Sequence, residues 1–462
     1  MIFENLTLTQ TVADLKSKKI SLKELILYYQ KQITKKRNLN IFCNLNPKLN
    51  NLQQWDTKGL INKPLSGAPI TVKDNFCTQN IITTAATKIL KKFLPPYEST
   101  VTEKLQSNGA FILGKTNLDA WAHGSSTETS ELGPTKNPLN PQYLPGGSSG
   151  GSAASVSADL CLASIGSETA GSIRQPSAWC GVVGLKPTYG RVSRFGLIAM
   201  ASSTDCPGPI TKNVQDSAFL LNYLAGHDPK DAATSSKYVP NYLKFLEKSL
   251  KGLKIGLIYF DLKGLEKIKN FYQNSFKVLE KLGAFLEFSP YLNPEHAVSV
   301  YTLIQRAEVS SNLARFDGIR YGLGRQHFGL EAKRRIMLGT FALSKGYTKQ
   351  YYLLAQKIRT LFVDDFKKLF TKYDILISPT SPGFAKPLGA TKGSAMFGEL
   401  EDMLLEPSSI AGLPGINLPC YQNPQTNLTL GLNIVGNFFR EDLILKTAYA
   451  LEQELNYRNK KI

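Results

Sequence analysis

Long apolar runs are missing from this 462-residue chain, and none approaches the about 18 residues that a membrane-spanning helix needs. The opening stretch, MIFENLTLTQ, lacks a basic region followed by an apolar run, so no secretory leader is expected. It also lacks the arginine-rich character of a transit peptide. Cysteine is sparse and scattered. Cys43, Cys77, Cys161, Cys180, Cys206 and Cys420 form no C-x-x-C pair and read as reduced thiols of a cytosolic protein. The four histidines, His123, His227, His296 and His327, show neither metal-ligand spacing nor H-E-x-x-H, which argues against a zinc site. Acidic residues number 36 against 55 basic ones, giving a net charge of +19. A basic surface attracts polyanions. Here, however, the lysines are interspersed with Ile and Asn throughout, as an AT-rich genome produces, and no RNA-binding motif accompanies them.

Apolar residues make up 42% of the chain, enough for a large core, and the length allows one large α/β domain or two to three ordinary ones. The most informative stretch is PGGSSGGSAASVSADLCLASIGSETAGSIRQPSAWCGVVGLKPTYG, residues 145 to 190. Two clusters of small residues, Pro145 to Ser152 and Gly166 to Ser172, flank the apolar run Leu160 to Ile165. Gly146 to Ser152 has the composition of a flexible linker, yet apolar segments lie close on both sides. A phosphate loop would need a lysine after the second glycine, and none is there. Gly147 to Gly151 also matches G-x-S-x-G, the nucleophile elbow, with Ser149 as its serine. That motif wants a preceding strand, and Gln142 to Pro145 is a poor one.

The first sixty residues read as helical, with Ser21 and Glu24 forming a capping box and Ile20 and Leu25 a staple. Ile70 to Val72 read as a short buried strand that carries Lys73 inward. A lysine at a strand end usually snorkels to water. If it is buried instead, its pKa falls from about 10.4 by up to roughly 3–5 units, which would let it act as a base. Cys77 lies near it in sequence and is a second nucleophile candidate. Gly124 to Ser130 is a polar run of the kind that forms loops. Between Ser148 and Ser172 there is room for one apolar strand and a turn, which would bring both hydroxyls to one end of a sheet. Residues 253 to 259, 284 to 288 and 373 to 378 read as strands, and Leu265 to Leu282 as an amphipathic helix. This alternation indicates an α/β fold with a central mixed sheet covered by helices.

The blocks GGSSGGSAAS and GSETAGSIRQPSAWCGVVGLKPTYGRVSRFGL resemble the amidase signature family, and within it the A subunits of tRNA-dependent amidotransferases. The similarity runs from about Val12 to Gln453. It implies a single large amidase-signature domain over 63–456, an N-terminal helical arm over 1–62 packed on it, and a basic tail over 457–462. It implies a Ser–Ser–Lys triad: Ser172 the acyl nucleophile, Ser148 the proton relay on a cis peptide, and Lys73 the base. Under it Ser149 is not the nucleophile. The backbone around Thr169, Ala170 and Gly171 would form the oxyanion hole, and the Ser125–Ser126 run would line the amide pocket. Three places depart from the family pattern. Glu168 stands where Asp is usual, Ala170 where Gly is usual, and the run from Asp205 to Pro209 differs. If position 170 needs a positive φ, Ala costs on the order of 1 kcal/mol or more there.

The resemblance places the recognition of free glutamine on Tyr301, Arg335 and Asp402, a fixed cation and a fixed anion for the two ends of an amino acid. Arg334 adjoins Arg335, so the register is open by one position. Ammonia released here would pass to a partner B subunit. That protein would use ATP and magnesium to amidate Glu on tRNA(Gln) and, in some members, Asp on tRNA(Asn). A small C subunit would hold the pair together, in the cytoplasm and without a membrane. No cofactor or metal is expected on this chain. Two other readings stay open: a stand-alone amidase for an apolar or aryl amide, needing neither Arg335 nor Asp402, and a degenerate subunit that scaffolds a complex or binds RNA.

Overall fold

In the computed structural model, residues 3–54, 58–319 and 322–455 are described. The expected basic tail, 457–462, lies outside them. An 11-stranded mixed sheet organises the chain. In sequence order the strands are β1 (Phe42–Leu45), β2 (Pro69–Lys73), β3 (Phe111–Thr116), β4 (Ala163–Glu168), β5 (Val183–Lys186), β6 (Cys206–Thr211), β7 (Lys254–Leu257), β8 (Phe285–Phe288), β9 (Ile375–Pro379), β10 (Gly415–Gln422) and β11 (Thr429–Gly436). Their order across the sheet is β1-β3-β2-β4-β6-β5-β10-β11-β9-β7-β8. β2 runs parallel to β3 and β4, and β7 parallel to β8 and β9. The other pairs are antiparallel. The central strands are buried along their whole length, which is why their sequences read as apolar runs without alternation.

The N-terminal arm begins as expected. Ser21 caps the helix Leu22–Lys35 by accepting from Glu24 N at 3.4 Å. Leu22, Leu25, Ile26, Tyr29 and Ile33 form its buried stripe, and burial of each such side chain is worth about 1.5–3 kcal/mol. The reading of the whole arm as helical misses β1, which pairs with β3 and makes one edge of the sheet. The helix expected over Leu265 to Leu282 is also interrupted. A 3₁₀ turn at Asn270–Tyr272 separates Glu266–Lys269 from Gln273–Lys281 and seats Tyr272 edge-on against Phe260, with ring centroids 5.3 Å apart.

The glycine- and serine-rich run is not a flexible linker: Gly146 to Ser149 form a buried bend and the rest is helical. Residues Gly150–Ser157 form a helix that packs on β2 and β4. A side chain at Gly151 would put its Cβ 2.4 Å from the Asn117 carbonyl oxygen, so the small residues are what allow this close approach. The segment between Ser148 and Ser172 therefore holds a helix as well as the expected strand. Beside the sheet, the helices Pro294–Leu313, Leu330–Leu343 and Leu354–Lys372 pack together, and the short helices Phe397–Asp402 and Glu406–Ile410 join them. This helical layer supplies the far wall of the site.

Candidate active site

β2 and β4 are parallel neighbours, with Val72 opposite Ile165, so their carboxyl ends lie side by side. That edge brings Lys73 beneath the turn after β4. Lys73 is fully buried and donates to Ser148 Oγ at 2.8 Å and to the Ser167 carbonyl at 3.0 Å. Burial lowers its pKa to about 7, while the negative charges of Asp119, Asp205, Glu168 and Asp402 act in the opposite direction. The lysine thus sits inside, not snorkelling, with a serine as its partner. The peptide bond Gly147–Ser148 is cis.

Ser172 ends the turn after β4. Its carbonyl accepts from Ser149 N at 3.1 Å, which ties the two small-residue clusters together. Its hydroxyl carries no hydrogen bond to a described residue, so a step from Ser148 to Ser172 is not closed in this conformation. Catalytic contacts of this kind often tighten only with substrate bound. The N–H groups of Thr169, Ala170, Gly171 and Ser172 likewise donate to no acceptor among the described residues. Buried N–H groups are seldom left this way, and four in one turn are available to a developing oxyanion.

Glu168 explains how the turn is held. One carboxylate oxygen accepts from Ile173 N and Arg174 N, both at 3.0 Å. The other accepts from Arg174 Nε at 2.9 Å and Nη2 at 2.6 Å. Arg174 then reaches Ser408, Ser409 and Asn433, so one buried ion pair links the turn to the helix Glu406–Ile410 and to β11. The longer acid is thus accommodated by spanning the turn. The expected strain at position 170 does not arise, because Ala170 does not adopt a positive φ. Its methyl joins an apolar cluster with Val300, Tyr301 and Ile304.

Two cavities open above the turn. The outer one, about 420 Å³, is lined by Ser125, Ser126, Glu331, Arg334, Arg335 and Glu399 among others. The inner one is constricted to about 10 Å³, the space of a single water, and it holds Ser172, Ser125, Tyr301, Arg335 and Asp402. Arg335 reaches both, whereas Arg334 borders only the outer cavity. Asp402 accepts from Ser125 Oγ at 2.6 Å. Arg335 is paired with Glu331 at 2.5 Å and lies 3.8 Å from Glu399. Ser126 faces away from the inner cavity's lining; its N–H donates to Asp119 at 3.0 Å.

Two alternative nucleophiles are displaced. Ser149 Oγ donates to the Ser167 carbonyl at 3.1 Å and accepts from Ser167 N at 3.3 Å, so its hydroxyl is engaged within the core. Cys77 lies in a separate cavity with Leu90, Phe93 and Tyr97, and burial raises its thiol pKa. Asp119, Glu399 and Glu406 have no spacing in the sequence that marks them. Asp119 collects N–H groups from Ser126, Thr127 and Thr129 and so shapes the Gly124 to Ser130 loop. The polar run downstream of Asp119 was its one signal. Among the described residues no group of three or more His, Cys, Asp or Glu is placed to hold a metal ion.

A mixed α/β sheet with a buried lysine on a serine at the carboxyl ends of its parallel strands has the groups that acyl transfer needs, a base of lowered pKa and a hydroxyl within its reach. The family model for amidases matches residues 24–445, and this chain belongs to the amidase family. It is 49% identical over 415 residues to the A subunit of glutamyl-tRNA(Gln) amidotransferase from Halothermothrix orenii, covering 86% of each chain. The corresponding A subunit of Prochlorococcus marinus is 45% identical over 480 residues, covering 96% of this chain and 97% of its own. Among solved structures, the glutamyl-tRNA(Gln) amidotransferase A subunit from Thermotoga maritima superposes with a TM-score of 0.83 at 35% identity, covering 98% of this chain and 95% of that one. The peptide amidase of Stenotrophomonas maltophilia superposes with a TM-score of 0.85 at 26% identity, covering 98% of both.

Proposed function

We propose that this chain is the glutamine-hydrolysing A subunit of a glutamyl-tRNA(Gln) amidotransferase. The observation that carries this reading is the lining of the inner cavity, which sets Arg335 and Asp402 around Ser172. An aryl or alkyl amide would call for a predominantly apolar pocket. A free amino acid calls for a cation and an anion, and both are here. Relatives at 45% to 49% identity carry the same name, which supports the same choice.

In the proposed mechanism Lys73, whose pKa burial lowers to about 7 so that a neutral fraction is present near that pH, takes a proton from Ser148 as Ser148 takes one from Ser172. The Ser172 oxygen attacks the side-chain amide carbon of glutamine, and the oxyanion is received by the turn from Thr169 to Gly171. Collapse expels ammonia, protonated through the same relay, and leaves a γ-glutamyl ester on Ser172. Water hydrolyses that ester to glutamate and restores the serine. Tyr301, Arg335, Asp402 and Ser125 position the substrate, with Ser126 at the mouth.

The ammonia would serve a B subunit that activates Glu on tRNA(Gln) with ATP and magnesium, in a cytoplasmic heterotrimer with a C subunit. Among the described residues no helix is long and apolar enough to cross a membrane. The test is ammonia release by the complex isolated from its host, offered glutamine, asparagine and an aryl amide, with Ser172→Ala alongside. Glutamine-selective release that Ser172→Ala abolishes is the expected outcome. Preference for the aryl amide would move the assignment to a stand-alone amidase.

A further inference from the structure

One buried acid has no role in this mechanism. Glu406 is fully buried, and neither of its carboxylate oxygens has a hydrogen-bond partner among the described residues. It lines the inner cavity with Ser172, Asp402 and Arg335. A carboxyl group taken out of water without hydrogen bonds is costly, and native interiors rarely keep one without a use.

The neighbouring acids are already committed. Glu399 accepts from Arg306 Nη2 at 2.9 Å and lies 3.8 Å from Arg335. Glu331 holds Arg335 Nε at 2.5 Å. Arg334 also pairs with Glu331, at 2.8 Å, so both acids are already engaged by guanidiniums. Asp402 uses one oxygen to accept from Ser125 at 2.6 Å, while its Oδ1 is unpartnered. Asp402 and Glu406 are therefore two acids on one small cavity with no cation of the protein paired to either.

We propose that Glu406 joins Asp402 in binding the α-ammonium of the substrate, so that the site selects amides that carry a cationic amine. The inference rests on the glutamine reading and deepens it. An ammonium has three N–H donors. Asp402 Oδ1 and a Glu406 oxygen supply two acceptors, and the Arg335 end of the cavity is left for the α-carboxylate. Two carboxylates around one cation balance only if they share a proton. Burial raises the pKa of Glu406 well above the usual range, and Asp402 and Glu399 add to this, against Arg306 and Arg335. Burial also raises Asp402, opposed by the Ser125 hydrogen bond and reinforced by Glu168, Glu399 and Glu401. Tyr301, the other titratable group facing this wall, is kept neutral by burial. The proposal therefore requires a proton shared by the pair before substrate arrives, which the ammonium expels.

The experiment compares glutamine with glutaramate, which keeps the amide and the carboxylate but lacks the amine. The complex carrying Glu406→Gln, which preserves shape and removes the charge, is measured against the unaltered complex. The expected result is a KM for glutamine higher by roughly ten- to a hundredfold, the range of a charge-assisted hydrogen bond, with little change in kcat or in glutaramate turnover. Equal losses on both compounds, or no change on either, overturn the proposal while the glutamine reading stands. No ammonia from glutamine in the unaltered complex sinks both. A second measurement leaves Glu406 untouched. Calorimetry on the Ser172→Ala protein in buffers of different ionisation enthalpy should show proton release with glutamine and none with glutaramate. Equal release with both ligands, or none with glutamine, refutes the shared-proton pair.

Discussion

Lys73 Nζ stands 2.8 Å from Ser148 Oγ, in a setting where no carboxylate of a described residue comes within ion-pair distance. Lys115 is buried equally deeply but lies 3.6 Å from Asp74, and it donates to Phe76, Thr78 and Thr83. Burial lowers the pKa of both, but Lys115 has a carboxylate beside it that favours its charge, and Lys73 has none so near. Only neutral acceptors touch Lys73, and the more distant charges of Asp119, Asp205, Glu168 and Asp402 offset its desolvation only in part, so the charged form is the disfavoured one.

The first prediction concerns pH. Burial lowers the Lys73 pKa from 10.5 to about 7, and only the neutral amine accepts a proton. Ammonia release should therefore rise as pH rises through about 7 and level off above it. Lys73→Arg, which stays charged, should lose about 10²–10⁴-fold in kcat across the whole range. The sign for stability follows from the same shift. The unfolded chain keeps a proton on Lys73 up to about 10.5 while the folded chain releases it near 7, so this residue makes stability increase with pH between those values. Urea denaturation of Lys73→Met beside the unaltered chain should show that increment missing. A rate profile flat between pH 6 and 8, expressed as roughly constant kcat, would remove Lys73 as the base.

A second prediction separates three serines. Ser172→Ala should abolish turnover without loss of stability, because its hydroxyl holds no protein partner. Ser149→Ala should do the reverse: it loses two hydrogen bonds to Ser167 and about 1 kcal/mol or more, but turnover continues. Ser148→Ala should reduce kcat and leave KM nearly constant. Thermal denaturation and steady-state kinetics on the three variants check all three outcomes. Covalent trapping at Ser149 would return the elbow reading.

The sequence made the chemistry legible further than the architecture. Ser148 and Ser172 sit in dense blocks of small residues, which pack as a buried helix and a tight turn, while Lys73 ends the short apolar strand Pro69–Lys73. Gly151 against the Asn117 carbonyl is one close approach in that packing. β1 was not legible, since Phe42 to Leu45 is only half-buried and pairs with a strand about seventy residues away. Ala170 and Glu168 looked like faults when read singly. In the fold, one is a cluster methyl and the other an acid that holds the Arg174 guanidinium with one oxygen and two backbone amides with the other, and neither role leaves a local signal. Glu406 stayed hidden for the same reason: its meaning comes from what surrounds it, Asp402 and Glu399 on the preceding helix and Arg306 and Arg335 on two helices distant in sequence.

A third prediction tests the brace under the turn. Glu168→Gln keeps the shape but loses the charge that meets Arg174 at 2.6 Å, leaving a buried guanidinium unpaired. The loss should be about 3–5 kcal/mol, the usual range for breaking a buried pair from one side. Glu168→Asp should be milder in stability, since the charge is kept. Its shorter arm reaches either the Ile173–Arg174 amides or the guanidinium, not both, so kcat should fall as the turn loosens. Denaturant titration and kcat measured together distinguish these effects. Equal stability of Glu168→Gln and the parent would refute the brace.

A fourth prediction concerns Gly171. A Cβ there would lie 2.4 Å from Asp402 Oδ1 and 2.8 Å from its Cγ, so Gly171→Ala must push Asp402 aside. Overpacking of this order costs about 1–3 kcal/mol. Because Asp402 stands on the inner cavity, the displacement should appear as a raised KM for glutamine, while an amide lacking the amine is affected less. Unchanged KM with lowered kcat would place the damage in the oxyanion turn alone.

The last prediction sets Arg335 against Arg334. The two are adjacent on one helix, but only Arg335 is buried and lines the inner cavity. Arg334 is partly exposed, donating to the Ala395 carbonyl at 2.7 Å and to Glu331 at 2.9 Å. Surface pairs of that kind contribute about 0–1 kcal/mol, so Arg334→Ala should leave KM and stability nearly as they were. Arg335→Ala should raise KM for glutamine roughly ten- to a hundredfold by removing the only cation on the inner cavity among the described residues. It also strands Glu331 and Glu399, so some stability will go with it. Arg335→Lys separates the two effects, because it keeps the charge and loses the planar fork that meets a carboxylate with two parallel bonds. The lysine variant should recover most of the stability but little of the affinity. If it recovers both, Arg335 acts on glutamine as a charge alone; if Arg335→Ala leaves KM unchanged, the carboxylate of the substrate is held elsewhere and the glutamine reading loses its main support.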